Sequence, residues 1–269
     1  MLHSQCLVRA AAVLAMVGFL VGGRVAPATA APPGPKDHAA NTIDPAALAA
    51  VTRMGAAIAA LNTFELTAHT TIEVALRGAH QVELGGTVHY FVKRPDRLRI
   101  DSETDTIRRQ YFFDGKTFTV VAPADGYFAQ APGKPRADET LAFAAQTLDV
   151  EVPLADLLSW GTPTSPLKQF TRGFFVGLAT IDGKPAEHYA LIGRDLDLEI
   201  WLPPGDAPLP LKISLVDRRV KGNPRFSATL SWVTSPTFGD DVFAFTPGPN
   251  LGRIDFARPK VQAGGKGGK

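Results

Sequence analysis

Residues 64–92 read FELTAHTTIEVALRGAHQVELGGTVHYFV, and the period of this stretch decides the fold. Phe64, Leu66, Ala68, Thr70, Ile72, Val74 and Leu76 alternate with Glu65, Thr67, His69, Thr71, Glu73 and Arg77. Successive strand residues point to opposite faces, so this alternation predicts a long strand with one apolar and one polar face. After a turn near Gly78 the even positions resume with Val82, Leu84, Gly86, Val88, Tyr90 and Val92. Two amphipathic strands joined by a short turn predict an antiparallel hairpin. Gly85-Gly86 inside the second strand predicts a bend of the kind that lets a sheet curl towards a barrel.

Upstream the period is helical. Asp44 and Pro45 supply an N-cap and a proline at the first helical position. Leu48, Val51, Met54, Ile58 and Leu61 then recur at three- and four-residue steps, until Asn62 and Thr63 end the helix. Downstream, short strands are expected at 97–101, 108–113, 117–122 and 127–131. A helical region covers 136–160: Leu141, Ala144 and Leu148 face one way, and Pro153 opens a second helix with Leu154, Leu157 and Leu158. Strands resume at 174–181, 186–192, 196–202, 211–218 and 225–232, and 243–246 closes the series. Asp114-Gly115-Lys116 and Asp182-Gly183-Lys184 read as hairpin turns. The sum is a mainly β fold with helices: a large curved antiparallel sheet, an N-terminal helix and a mid-chain helical lid.

The termini read differently. Residues 1–30 have the parts of a secretory signal peptide: a short n-region with Arg9, an apolar stretch at 10–21, and Ala28-Thr29-Ala30 for cleavage before Ala31. That stretch is shorter than the ~20 apolar residues of a membrane span. Cys6, the single cysteine, precedes it, which argues against a lipidated cysteine and leaves the mature chain without disulfides. Residues 31–43 form a Pro- and Ala-rich leader, 44–257 one domain, and 258–269 a Gly- and Lys-rich tail expected to be disordered. With Arg9 and Arg24 removed, 26 basic residues face 26 acidic ones. A balanced charge with no basic face excludes nucleic acid as the expected partner.

The signatures of common enzymes are missing: no glycine-flanked serine elbow, no phosphate-binding glycine loop, no dinucleotide fingerprint. His69 and His89 lie on the polar faces of the first two strands, and a three-residue loop at 78–80 would set them directly opposite. Two histidines without a third ligand make a poor zinc site. His188 shows no partner, and Asp195, Asp197 and Glu199 alternate along one solvated strand face. No enzyme activity, cofactor or metal is expected.

What stands out is one apolar sheet face: Phe64, Leu66, Ile72, Val74, Val88, Tyr90, Val92, Leu98 and Ile100. Two readings are open, an ordinary core beneath helices or a cavity for an apolar ligand.

Residues 86–100, GTVHYFVKRPDRLRI, with Phe113-Asp-Gly-Lys-Thr117 and Phe243-Ala-Phe-Thr-Pro247, resemble LolA, the periplasmic carrier of lipoproteins. The stretch 196–211, with Trp201-Leu-Pro-Pro and Pro208-Leu-Pro-Leu, is similar to a domain-of-unknown-function family of predicted periplasmic proteins in the same superfamily. The resemblance implies an unclosed antiparallel β-barrel with helices as a lid over an apolar cavity. It implies that Arg94, in the Lys-Arg-Pro motif, contacts the lid formed by 136–160, and that the nine residues above line the cavity. It further implies a soluble, not membrane-spanning, periplasmic protein that holds lipid or lipoprotein acyl chains. The alternative is an envelope sensor or protein-interaction domain on the same fold, with envelope proteins as partners. The segment around 201–212 is extra relative to the carrier.

Overall fold

The computed structural model describes residues 42–75 and 81–256. The signal peptide and its cleavage site, residues 31–41 of the leader, the turn near Gly78 and the tail lie outside the described residues.

Twelve strands form one sheet among the described residues. In chain order they are β1 (Thr63–Ala75), β2 (Gln81–Lys93), β3 (Arg97–Thr104), β4 (Arg108–Phe113), β5 (Thr117–Ala122) and β6 (Tyr127–Pro132). After the helical insert come β7 (Phe170–Ile181), β8 (Lys184–Gly193), β9 (Leu196–Leu202), β10 (Lys212–Asp217), β11 (Arg225–Thr234) and β12 (Gly252–Ile254). The spatial order is β12-β6-β5-β4-β3-β2-β1-β11-β10-β9-β8-β7, so two meanders meet where β1 pairs with β11. Every pairing is antiparallel except β12 on β6.

The sheet does not close into a barrel, but it has to curl. Laid flat, twelve strands would span roughly 50 Å at about 4.8 Å per strand. Yet residues from β1 to β5 and from β7 to β11 share one buried cluster with α1 (Pro45–Ala60) and α2 (Ala137–Thr147). Only a concave face can be gathered under so few helices. Gly86 marks one tight point: a Cβ there would lie 2.7 Å from the Glu103 carbonyl and 2.9 Å from Thr70 Oγ1. The expected bend is therefore a close approach, and the β1–β2 register runs through it unbroken.

Several local expectations need correction. Leu48 is exposed, and α1 buries Ala47, Ala50, Val51, Met54, Ala57 and Ile58 instead. Reading only large side chains rotates the stripe, because small alanines let a helix sit close against a sheet. The second lid helix is a single 3-10 segment, Ala155–Ser159. Residues 243–246 are no strand: Asp240–Phe243 is a 3-10 turn, and the last strand is Gly252–Ile254. The alternation of Phe243 and Phe245 is real, but those rings plug the sheet's outer face rather than extend its edge. Phe245 lies 5.5 Å from Phe112 and 5.1 Å from Phe128, and Phe243 lies 5.6 Å from Phe238. His69 and His89 do not oppose each other. Ala75 pairs with Gln81, so the loop is two residues longer than expected and the register becomes Thr67↔His89 and His69↔Thr87.

The two Asp-Gly-Lys triplets are turns. Asp182 (φ 47°) and Gly183 (φ 76°) take the left-handed conformations of a two-residue hairpin loop. At the other, Asp114 Oδ1 accepts from the backbone N–H groups of Lys116 and Thr117 at 2.9 and 2.8 Å.

Candidate functional site

The concave face divides along the strands. On β1, the core-facing residues Phe64, Leu66 and Ala68 are covered by helices, and Thr70 is the last buried one. Val88, Tyr90 and Val92 of β2 and Leu98 and Ile100 of β3 complete the covered half, all with 2 % exposure or less. Trp160, Leu157 and Leu158 of the insert pack into the same cluster. Seven of the nine sequence-predicted lining residues therefore sit in contact with protein on every side.

The other two, Ile72 and Val74, lie past the edge of the helices. Ile72 is 39 % and Val82 38 % exposed, and Val74 and Leu84 are partly so. Cross-strand pairing sets Ile72 beside Leu84 and Phe226, and Phe226 beside Leu215. Side chains two apart on a strand share a face, so these residues continue the core's apolar row into solvent. The concave face thus has a lidded half and an open apolar half, separated at Thr70 and Gly86.

The insert is held by the Lys93-Arg94-Pro95 turn. Arg94 Nε donates to the Leu61 carbonyl at the end of α1 (3.1 Å), and its Nη2 to the Leu158 carbonyl of the insert (3.2 Å). The Ala137 amide, opening α2, donates to the Pro95 carbonyl at 2.8 Å. Partial burial lowers the Arg94 pKa, opposed by nearby Asp138. The Tyr90 hydroxyl donates to the Pro153 carbonyl, and burial holds its pKa well above the ordinary tyrosine value. Gly55 of α1 meets Gly161 backbone to backbone: a Cβ on Gly161 would fall 2.1 Å from the Gly55 carbonyl oxygen. Four contacts thus bind the lid: a guanidinium on two carbonyls, a phenol on a third, the Ala137 amide on the Pro95 carbonyl, and a glycine-glycine contact.

Two open recesses lie away from the open half. One of about 220 Å³ is lined by Ala60, Leu61, Asn62, Thr63, Ser235 and Pro236, at the opposite end of β1 from Ile72. The other, of about 310 Å³, is lined by Lys116, Thr117, Gln130, Ala131, Pro132 and Arg253.

The outer face carries a network missed by sequence reading. His188 Nε2 lies 3.0 Å from Glu199 Oε2, and Arg225 Nη1 donates to Glu199 Oε1 (2.6 Å) and Ser214 Oγ (2.8 Å). The His188 hydrogen bond, opposed by burial and aided by Arg225, holds the Glu199 carboxyl down at about 2. His188 also stacks on Trp201 at 4.1 Å. Only the register, with His188 opposite Trp201 on the next strand, brings these residues together. The network is a ladder of ion pairs and hydrogen bonds across four strands. Among the described residues no group of three His, Cys, Asp or Glu is placed to hold a metal ion, and no helix is long and apolar enough to cross a membrane.

Residues 47–257 match a family described as predicted periplasmic protein, DUF2092. No curated protein matches the chain. Among solved structures, the chain is similar to an uncharacterized conserved protein from Thermus thermophilus, at 10 % identity and TM-score 0.43, over 78 % of this chain and 99 % of that one. It is similar to the Pseudomonas aeruginosa MucA/MucB complex structure at 19 % identity and TM-score 0.37, over 72 % of this chain and 59 % of that one. It is also similar to the LolA superfamily protein NE2245 from Nitrosomonas europaea, at 10 % identity and TM-score 0.36, over 74 % and 97 % of the two chains.

Proposed function

The chain belongs to the DUF2092 family of predicted periplasmic proteins, and from that premise we propose that it is a lipid- or lipoprotein-binding protein of carrier type. An acyl chain lies first along the open half of the concave face and then beneath the lid. One observation carries this reading: the apolar row of the core continues past the helices to Ile72, Val82 and Leu84 instead of turning polar at the surface. A sheet end with no partner gains nothing by exposing such a row.

The magnitudes favour two steps. Fully burying a CH2 group is worth about 0.8 kcal/mol, and an open face covers a chain on one side only. Binding at the open half is therefore weak. Release of Arg94 and Gly161 would uncover Tyr90, Val88 and their neighbours for a tighter second stage, at the expense of the lid's own packing. Arg94 is the proposed latch in this scheme.

The experiment is extraction of the purified protein and mass spectrometry for bound lipid, followed by titration of delipidated protein with a fluorescent fatty acid. Lipid should co-purify, and Ile72→Glu and Leu84→Glu should abolish probe binding without altering thermal stability. Protein that carries no lipid and ignores both fatty-acid and lipoprotein probes would refute the reading. The tight packing of the lidded half favours a second reading, an interaction domain for an envelope protein whose core stays closed. In that case the same two variants would lose the partner and the extract would hold no lipid.

A further inference from the structure

Among the described residues on the concave face of β1 to β6, only Arg109 of β4 carries a charge. Its face follows from the register. Ala68 pairs with Val88, Val88 with Ser102 and Ser102 with Arg109, so the four share one row. Gln110, its neighbour in sequence, serves the outer face, where its Nε2 donates to Asp101 Oδ1 at 3.0 Å. The next row towards the open half is Thr70, Gly86 and Thr104. Arg109 therefore stands at the divide, between the lidded core and the open row of Leu84, Ile72 and Phe226.

The guanidinium is only half used. Nη1 makes both of its contacts, an ion pair with Asp125 Oδ2 at 2.9 Å and a hydrogen bond to the Arg108 carbonyl at 2.8 Å. Nε and Nη2 have no hydrogen-bond partner among the described residues. The side chain is 26 % exposed, in a row with the buried Val88 and Ser102. Holding a charge in such surroundings costs desolvation, which one half-exposed aspartate offsets only in part. An arginine that served solubility alone would gain nothing from that position.

We propose that Arg109 receives the head group of the acyl ligand, and that this ligand is a long-chain carboxylate. The inference rests on the acyl-chain reading above and names its substrate class. Nε and Nη2 lie in one plane along one edge, and a carboxylate offers two oxygens to match them. A phosphodiester could meet the same edge, but its second ester arm would have to pass Ser102 and Tyr111, both buried. From the row of Arg109 to that of Val74 the open half extends about 20 Å, at about 3.3 Å per residue. With the carboxylate fixed at the divide, the chain lies along that half or turns inwards once the lid lifts. The head stays in place while the tail changes sides.

The test is titration of delipidated protein with parinaric acid and with its methyl ester in neutral buffer, read by probe fluorescence. The acid should bind about tenfold more tightly than the ester, the order of a hydrogen bond to a charged group. Arg109→Gln should bring the two affinities together. Arg109→Lys should restore only part of the difference, because an ammonium offers no paired edge. Asp125→Asn keeps Arg109, removes the competing carboxylate and should tighten acid binding about threefold. Equal binding of acid and ester by the parent would overturn the proposal and leave the acyl-chain reading standing. So would a folded Arg109→Gln variant that keeps the preference, an Asp125→Asn variant that binds the acid more weakly, or lysophosphatidylglycerol displacing the probe where palmitate does not. A parent that binds neither probe refutes both.

Discussion

Gly161 and Gly183 offer a matched pair that measures how firmly the lid is seated. Both have φ of +76°, so alanine at either pays the same left-handed backbone penalty, about 1–2 kcal/mol. They differ in what the new methyl meets. At Gly183 nothing lies within 4 Å. At Gly161 it would fall 2.1 Å from the Gly55 carbonyl oxygen, 2.5 Å from its carbon and 3.0 Å from Ala59 Cβ. The first two are backbone atoms of a helix and cannot swing aside, so the lid has to lift. Overpacking of this kind costs about 1–3 kcal/mol. Gly183→Ala should therefore lose about 1–2 kcal/mol in urea unfolding, and Gly161→Ala about 2–5 kcal/mol. Hydrogen exchange should show the excess at 155–161 before any global loss. If the two variants agree within about 0.5 kcal/mol, the glycine-glycine contact does not hold the lid and the latch scheme fails.

Other expectations follow from the same structure. Arg94→Ala leaves the Leu61 and Leu158 carbonyls unpaired and should cost about 2–4 kcal/mol, with faster exchange in the insert. Arg94→Lys should recover less than half of that, since an ammonium cannot match the fork that spans both carbonyls. Glu199, held down at about 2 from an ordinary 4.5 by His188 and Arg225, lends stability that is complete above its unfolded pKa and lost as pH falls through the folded value. For a side chain 28 % exposed, screening reduces this to about 1–2 kcal/mol. Urea midpoints from about pH 5 to about pH 2.5 should fall more gently for Glu199→Gln than for the parent. Phe243, with no exposed surface, should cost about 3–5 kcal/mol when replaced by alanine, and calorimetry of that variant tests whether the C-terminal segment is part of the fold.

Strand period made the sheet legible in the sequence. The alternation through 64–92 announces β1 and β2, and the Asp-Gly turns locate two further hairpins. Where the sequence misled, a different force decided. Phe243 and Phe245 alternate like a strand, but Pro247 offers no amide for a ladder, and the rings find better sites, Phe245 on Phe112 and Phe128 and Phe243 on Phe238. The apolar row was readable to its last residue; where the helices stop covering it was not, because that depends on how the insert folds back. Ile72 and Phe64 look alike in sequence and differ only in what lies above them. The Glu199 ladder was hidden for another reason. Its members come from four strands, and a pairing register must be known before residues so far apart become neighbours.

The seam between β1 and β11 also has a consequence in time. β1 is the first strand to be made and stands at the middle of the sheet, yet its second partner follows about 170 residues later, Phe64 facing Thr234. Until β11 arrives, one side of β1 shows a row of unmet amides and carbonyls. The meanders β2–β6 and β7–β11 assemble from neighbouring hairpins, whereas the joint between them waits for nearly the whole chain. Long-range pairing of this sort is slow. The ladder from Ile72–Phe226 to Phe64–Thr234 can close only once β11 has been made, and of the sheet's pairings only the short β12 on β6 calls for chain made later still.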